Sequence, residues 1–216
     1  MSNIGHNLAK LNPKETIQKN ILRKKPILDR EPQIYKGVPL PSWIELSLID
    51  VCNRSCSFCP KSDDNIAPNT HQKMERVLID KLYKNLKDIN YEGAFSLCGY
   101  GEPLLYHDLD YLIEKLGKLG KIEVVTNGDP LNLKNLKQLY KSKLSQLVIS
   151  MYDGPEQVIH FTDLMKEANI PDSFYTLRDR WYKGGEFSDY ITNRAGTVQS
   201  GKQIKPEDLK DKRCFY

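Results

Sequence analysis

Cys52, Cys56 and Cys59 stand in the run Cys52-Asn53-Arg54-Ser55-Cys56-Ser57-Phe58-Cys59-Pro60, a C-x3-C-x2-C spacing. One short loop therefore offers three thiolates, soft ligands suited to zinc or to the iron of an iron–sulfur cluster. Three is one fewer than a closed tetrahedral site or a fully ligated cluster requires. A metal centre with one position left open by the protein can bind and activate another molecule there. A structural zinc loop would need a fourth ligand with matched spacing, and the nearest candidates, His71 and Cys98, form no ligand pair with it. The spacing by itself leaves both a zinc site and an iron–sulfur cluster open.

Other candidate residues fall where strands are expected to end. Gly99-Tyr100-Gly101-Glu102-Pro103-Leu104 is, taken alone, a turn with an exposed acid. Thr126-Asn127-Gly128 has the chemistry of a turn that adopts left-handed backbone at low cost. In Ser150-Met151-Tyr152-Asp153-Gly154, Ser150 offers a hydroxyl and Asp153 a helix N-cap. Arg178 brings a guanidinium matched to carboxylates, and Trp181 could wall a pocket or sit in the core. Cys98 reads as a small buried hydrophobe, His107 as a loop residue, and His6, His71 and His160 have no evident partners.

The elements that must position these residues can be read from periodicity. Ile44 to Leu48 alternates as a half-buried strand and runs straight into the cysteine loop. Met74, Leu78, Leu82 and Leu86, with Val77, predict one apolar helix face. Strands are expected at Gly93–Cys98, Ile122–Thr126, Leu147–Met151 and Phe174–Leu177. Between them lie helices through Leu109–Leu116 (capped by Asp108 and ended by Gly120), Leu133–Tyr140 and Val158–Ala168. The strand spacing is close to the ~30 residues of a βαβ unit, which predicts an α/β fold with parallel strands and outer helices. Five strands are too few for a closed eight-stranded barrel, so a partial (β/α) barrel is expected. Right-handed crossovers then bring every strand's C-terminal end, and every candidate above, to one mouth.

At 216 residues the chain can hold one good core. Five cysteines, three of them in one loop, favour a metal role in a reducing compartment, here the cytoplasm, over a disulfide framework. Met1–Lys10 lacks the apolar core of a secretory signal, and no run is long enough to span a membrane. Residues 1–43 carry 8 Lys/Arg against 3 Asp/Glu, a local charge of +5 against +4 overall. This segment, with Arg23-Lys24-Lys25, reads as a solvated basic arm rather than a nucleic-acid site. A short helix over Pro13–Arg23 is expected, then irregular chain through Pro26, Pro32, Pro39 and Pro41. The predicted organisation is a basic extension over 1–42, the partial barrel over 43–180, and a linker with the start of a truncated C-terminal region over 181–216.

The cysteine loop after a first strand, with Phe58 just before the third cysteine, resembles the radical S-adenosylmethionine (SAM) enzymes. That resemblance implies that Cys52, Cys56 and Cys59 ligate a [4Fe–4S] cluster whose open iron chelates the amino and carboxylate groups of SAM. One electron would then cleave SAM to methionine and a 5′-deoxyadenosyl radical, which takes a hydrogen atom from the substrate. Gly99–Leu104 looks like the family's Gly-Gly-Glu-Pro segment, with Tyr100 in place of the first glycine of the pair. By that likeness Gly101 lets backbone approach SAM, and Glu102 accepts a hydrogen bond from its ammonium group. Asn127 would line the SAM pocket, Ser150, with Asp153 as second choice, would face the ribose, Arg178 would pair with the SAM carboxylate or a substrate anion, and Phe58 would complete the cofactor-binding set. Asn193–Gly196 and Cys214–Tyr216 resemble the start of a SPASM or twitch region, although a lone Cys214 implies no second cluster. The implied partners are a sugar, amino acid or peptide substrate and an electron donor such as flavodoxin or ferredoxin. The alternatives are a glycyl-radical activase, which shares Gly-Glu-Pro-Leu, a catalytically incomplete cluster-binding remnant, and a zinc-binding interaction module.

Overall fold

The structure, a computed structural model, describes residues 13–180. The features noted above at His6, Trp181, Asn193–Gly196 and Cys214–Tyr216 lie outside the described residues. Helix α1 (Pro13–Leu28) leads into a two-stranded hairpin of β1 (Ile34–Tyr35) and β2 (Val38–Pro39). Then come β3 (Trp43–Leu46), α2 (Arg76–Asp88), β4 (Ala94–Leu97), α3 (Leu109–Leu116), β5 (Ile122–Thr126), α4 (Leu133–Lys141), β6 (Gln146–Met151), α5 (Glu156–Glu167) and β7 (Tyr175–Asp179). Strands β3 to β7 form one parallel sheet in sequence order. With helices between successive strands, this is the expected α/β partial barrel.

The two faces of the sheet have different chemistry. Phe95, Leu97, Ile122, Val124, Leu147 and Ile149 are buried in a core with Leu112, Ile113, Leu116, Leu136, Phe161 and Met165 of the outer helices. β4 is buried throughout, with neighbours on both edges, whereas β7 is half-buried along its whole length. The alternate residues line a cavity, and one rung of the ladder runs Glu45, Ser96, Glu123, Gln146 through successive strand pairs. A polar rung on the inner face of a parallel sheet has no role in packing the outer core.

Several expectations need correction. Helix α1 continues past Arg23 and takes in Pro26, and it is not a free arm. Arg23 and Lys24 pair with Glu123 at 2.6 and 2.9 Å, and Lys24 lies over the Trp43 ring at 4.6 Å. Glu123 is buried, so two cations from α1 neutralise a carboxylate that the sheet alone would leave uncompensated. On α2, Val77 and Leu78 point to solvent, while Ile79 and Leu86 are buried and Leu82 packs at the core's edge. The helix begins at Arg76 rather than Met74, and Val77 and Leu78 are exposed in its first turn. Asp108 makes no cap bond; its carboxylate accepts Arg76 Nε at 2.7 Å and pairs with His107 at 2.9 Å. Helix α3 ends at Gly117, before Gly120.

Candidate active site

The C-terminal ends of β3 to β7 surround a cavity of about 480 Å³. Cys52, Cys56, Cys59 and Phe58 form part of its wall, with Glu102, Asn127, Ser150 and Arg178 on the strand ends opposite. Gly101 lines it too. These nine residues thus open onto one space, because parallel strands with right-handed crossovers end on the same side; Asp153 and His107, also noted in the sequence, are not part of its wall.

The cysteine loop is built by short-range bonds. Cys59 N–H donates to the Cys56 carbonyl at 2.8 Å, and a single 3₁₀ turn at Pro60–Ser62 follows. Ser55 Oγ donates to the Lys61 carbonyl at 3.2 Å, and the buried Lys61 ammonium caps the Pro68 carbonyl at 2.8 Å. Cys52, Cys56, Cys59 and Cys98 are free thiols, each half-buried. Burial pushes the Cys52 thiol up and that of Cys56 up to about 11. Cys98, just past the C-terminal end of β4 and 3.6 Å from Ser96 (Sγ to Oγ), is pushed up to about 12, also by burial.

Glu102 is almost wholly buried and fully engaged. Its Oε1 accepts Thr126 Oγ1 at 2.6 Å and Leu104 N–H at 3.0 Å, and its Oε2 accepts Asn127 N–H at 2.9 Å. Burial still raises its pKa, against the lowering effect of those three donors. A Cβ on Gly101 would lie 1.8 Å from the Ile49 carbonyl oxygen, so glycine is required there by close packing against the segment that leads into the cysteine loop. Asn127 sits at the centre of the arrangement: its Nδ2 donates to Asn53 Oδ1 at 2.8 Å and lies 3.9 Å from Cys52 Sγ. Its Oδ1 accepts Asp129 N–H at 2.9 Å, and Gly128 beyond it takes the left-handed φ of 84° that the turn needs. Ser150 is buried, and its oxygen accepts Arg178 Nη2 at 2.7 Å and Nε at 3.2 Å.

Residues that sequence reasoning passed over complete the wall. Tyr152 packs against Phe58 with ring centroids 5.2 Å apart. Arg54 lies over the Tyr152 ring and forms ion pairs with both Asp129 and Asp153. Asp153, expected as a second ribose candidate or a helix cap, instead pairs with Arg54, and Pro155 stands at the helix's N-cap; Arg54 carries no signal beyond its place between two cysteines.

A family model described as the radical SAM superfamily matches residues 46–178. The chain belongs to the radical SAM superfamily. Among curated relatives, the S-adenosyl-L-methionine-dependent 2-deoxy-scyllo-inosamine dehydrogenase of Niallia circulans is 30% identical over 52% of this chain and 46% of its own. A GTP 3',8-cyclase of Aquifex aeolicus is 32% identical over 53% of this chain and 36% of its own. The chain thus spans less than half the length of these relatives. Among solved structures, BtrN in complex with AdoMet and 2-DOIA superposes with a TM-score of 0.61 at 24% identity, covering 74% of this chain and 63% of that one, which shows a shared fold.

The cofactors of this superfamily are a [4Fe–4S] cluster and SAM, and the residues present fit them. Among the described residues no three His, Cys, Asp or Glu side chains converge as they would around one ion. A cubane needs no such convergence, since each thiolate binds its own iron. Three free thiols on one loop beside a cavity with a buried carboxylate suit a sulfur-ligated cluster next to a charged organic cofactor. No helix among the described residues is long and apolar enough to cross a membrane.

Proposed function

We propose that this chain carries out radical SAM catalysis, with Cys52, Cys56 and Cys59 as cluster ligands. When bound, the cluster and SAM supply a 5′-deoxyadenosyl radical that takes a hydrogen atom from the substrate. Glu102 holds the strand-end loops through Thr126 and Asn127 and presents the site's buried carboxylate to the SAM ammonium. Gly101 keeps the backbone beside it close to the cofactor. Asn127 lines the nucleoside side, Ser150 and Arg178 form the ribose and carboxylate wall, and Phe58 with Tyr152 supplies the apolar surface. The substrate is a small polar molecule, of the sugar or amino-acid class or a peptide segment. The polar rung of Glu45, Ser96 and Glu123 beneath the mouth supports that reading, as does the likeness to an inosamine dehydrogenase. The electron comes from a donor of the flavodoxin or ferredoxin type, in the cytoplasm, and the domain division is a basic helical extension ahead of the barrel with a SPASM- or twitch-like segment after it.

One observation carries the proposal: three free thiols, a buried glutamate and a buried serine bonded to a half-buried arginine share a single cavity. The test is anaerobic reconstitution with iron and sulfide, followed by dithionite and SAM, with chromatographic detection of 5′-deoxyadenosine. Wild-type protein should take up iron, darken and form the nucleoside, and Cys56→Ala should do neither. Uptake of zinc without iron would establish the zinc module instead. A Cys56→Ala variant with full SAM cleavage would overturn the ligand assignment.

A further inference from the structure

The guanidinium of Arg54 makes four hydrogen bonds to two carboxylates. Nε donates to Asp129 Oδ2 and Nη2 to Asp129 Oδ1, both at 2.6 Å. Nη1 donates to Asp153 Oδ1 at 2.8 Å and Nη2 to Asp153 Oδ2 at 2.6 Å. Both aspartates belong to the loops that carry other site residues, Asp129 two residues after Asn127 and Asp153 three after Ser150. A second link runs parallel to the first, since Asn53 Nδ2 donates to Asp129 Oδ2 at 2.8 Å while Asn53 Oδ1 accepts from Asn127. The Arg54 side chain is 18% exposed and rests on Tyr152, which itself packs on Phe58. Two-point contact with each of two carboxylates fixes the plane and direction of the side chain as well as its place, which a single ammonium cannot do.

We propose that Arg54 is a positioning residue: by pinning the middle of the cysteine loop to the loops after β5 and β6, it sets the spread of the three thiols before metal arrives. This rests on the reading of the loop as a cluster site. The clamp also sets local charge. One guanidinium against two carboxylates leaves −1 beside the thiols, which works against adding an electron to a cluster there, because net charge around a cluster helps set its potential. Arg54 therefore governs how firmly the cluster is held, and the second aspartate governs how readily it is reduced.

The experiment uses the full chain, reconstituted anaerobically, in wild-type, Arg54→Lys and Asp153→Asn forms. The urea midpoint of each apo form is recorded first, to separate loss of folding from loss of loop geometry. Iron per chain, the rate of iron loss to EDTA and the potentiometric midpoint of the reduced EPR signal are then measured. Arg54→Lys, which keeps the charge but not the fork, should lose iron several-fold faster than wild type and show an altered EPR line shape. Asp153→Asn removes one charge at the more exposed partner and one arm of the clamp while leaving the Asp129 arm; it should lose iron no faster than Arg54→Lys and shift its midpoint potential upward. Arg54→Lys with wild-type chelator resistance and line shape overturns the positioning role. An unshifted or lowered potential in Asp153→Asn overturns the charge effect. If the wild type takes up no iron, it is the functional reading that falls.

Discussion

Glu102 shows how tightly a single side chain can be bound into this site. Its two oxygens receive three protein donors, so no orientation of an amide can replace it without setting two donors face to face. Glu102→Gln should cost about 1–3 kcal/mol of stability, the price of a buried donor left without an acceptor, and weaken SAM binding; urea unfolding and equilibrium dialysis check the two effects. Gly101→Ala forces a methyl against the Ile49 carbonyl and should cost about 3 kcal/mol or expel the backbone locally, visible as a lower urea midpoint. The cysteines stand out in the sequence by residue type and spacing, whereas Glu102 and Asn127 sit in segments that read alone as turns and stand out only through their likeness to the radical SAM family. Arg54 was not, because the aspartates that give it meaning lie 75 and 99 residues away and an arginine carries no mark of its partner.

Among the elements, α2 and α1 carry the sharpest tests. The inner face of α2 is Ile79, Leu82 and Leu86, so Ile79→Ala should cost about 2–5 kcal/mol, while Val77→Ser should stay within about 0.5 kcal/mol of wild type; thermal unfolding of the pair separates the two phases of the helix. The apolar period was legible, with Leu82 and Leu86 on the inner face, but at the helix's start several apolar residues in a row leave more than one choice, and packing takes Ile79 rather than Val77 or Leu78. Helix α1 is held through Glu123. Burial pushes that carboxyl up, but Lys24 and Arg23 more than offset it and hold the group below its ordinary value of 4.5. A depressed carboxyl stabilises the fold above pH 4.5, and that contribution is lost as pH falls below it toward the folded-state value. Glu123→Gln should therefore be less stable than wild type at neutral pH by ~3 kcal/mol, and the gap should close in acid, as read by chemical denaturation across that range. A basic run in a segment rich in proline reads as solvated because its acidic partner lies 100 residues downstream.

At the scale of the whole molecule, the fold was legible because each βαβ unit repeats the same local pattern and handedness leaves little choice of topology. What no local pattern shows is that one face of the sheet stays polar and open, with Glu45, Ser96 and Glu123 in a single rung. A group that binds only the folded chain stabilises it by mass action, so anaerobic iron loading should raise the thermal midpoint of the wild type and leave Cys56→Ala unchanged in calorimetry. The Arg54 clamp has a further consequence, in time rather than space. During synthesis Arg54 leaves the ribosome 75 residues before Asp129 and 99 before Asp153. Its neighbouring thiols thus spend that stretch of translation without the carboxylates that shape their loop, and the clamp can close only once the loop after β6 has emerged.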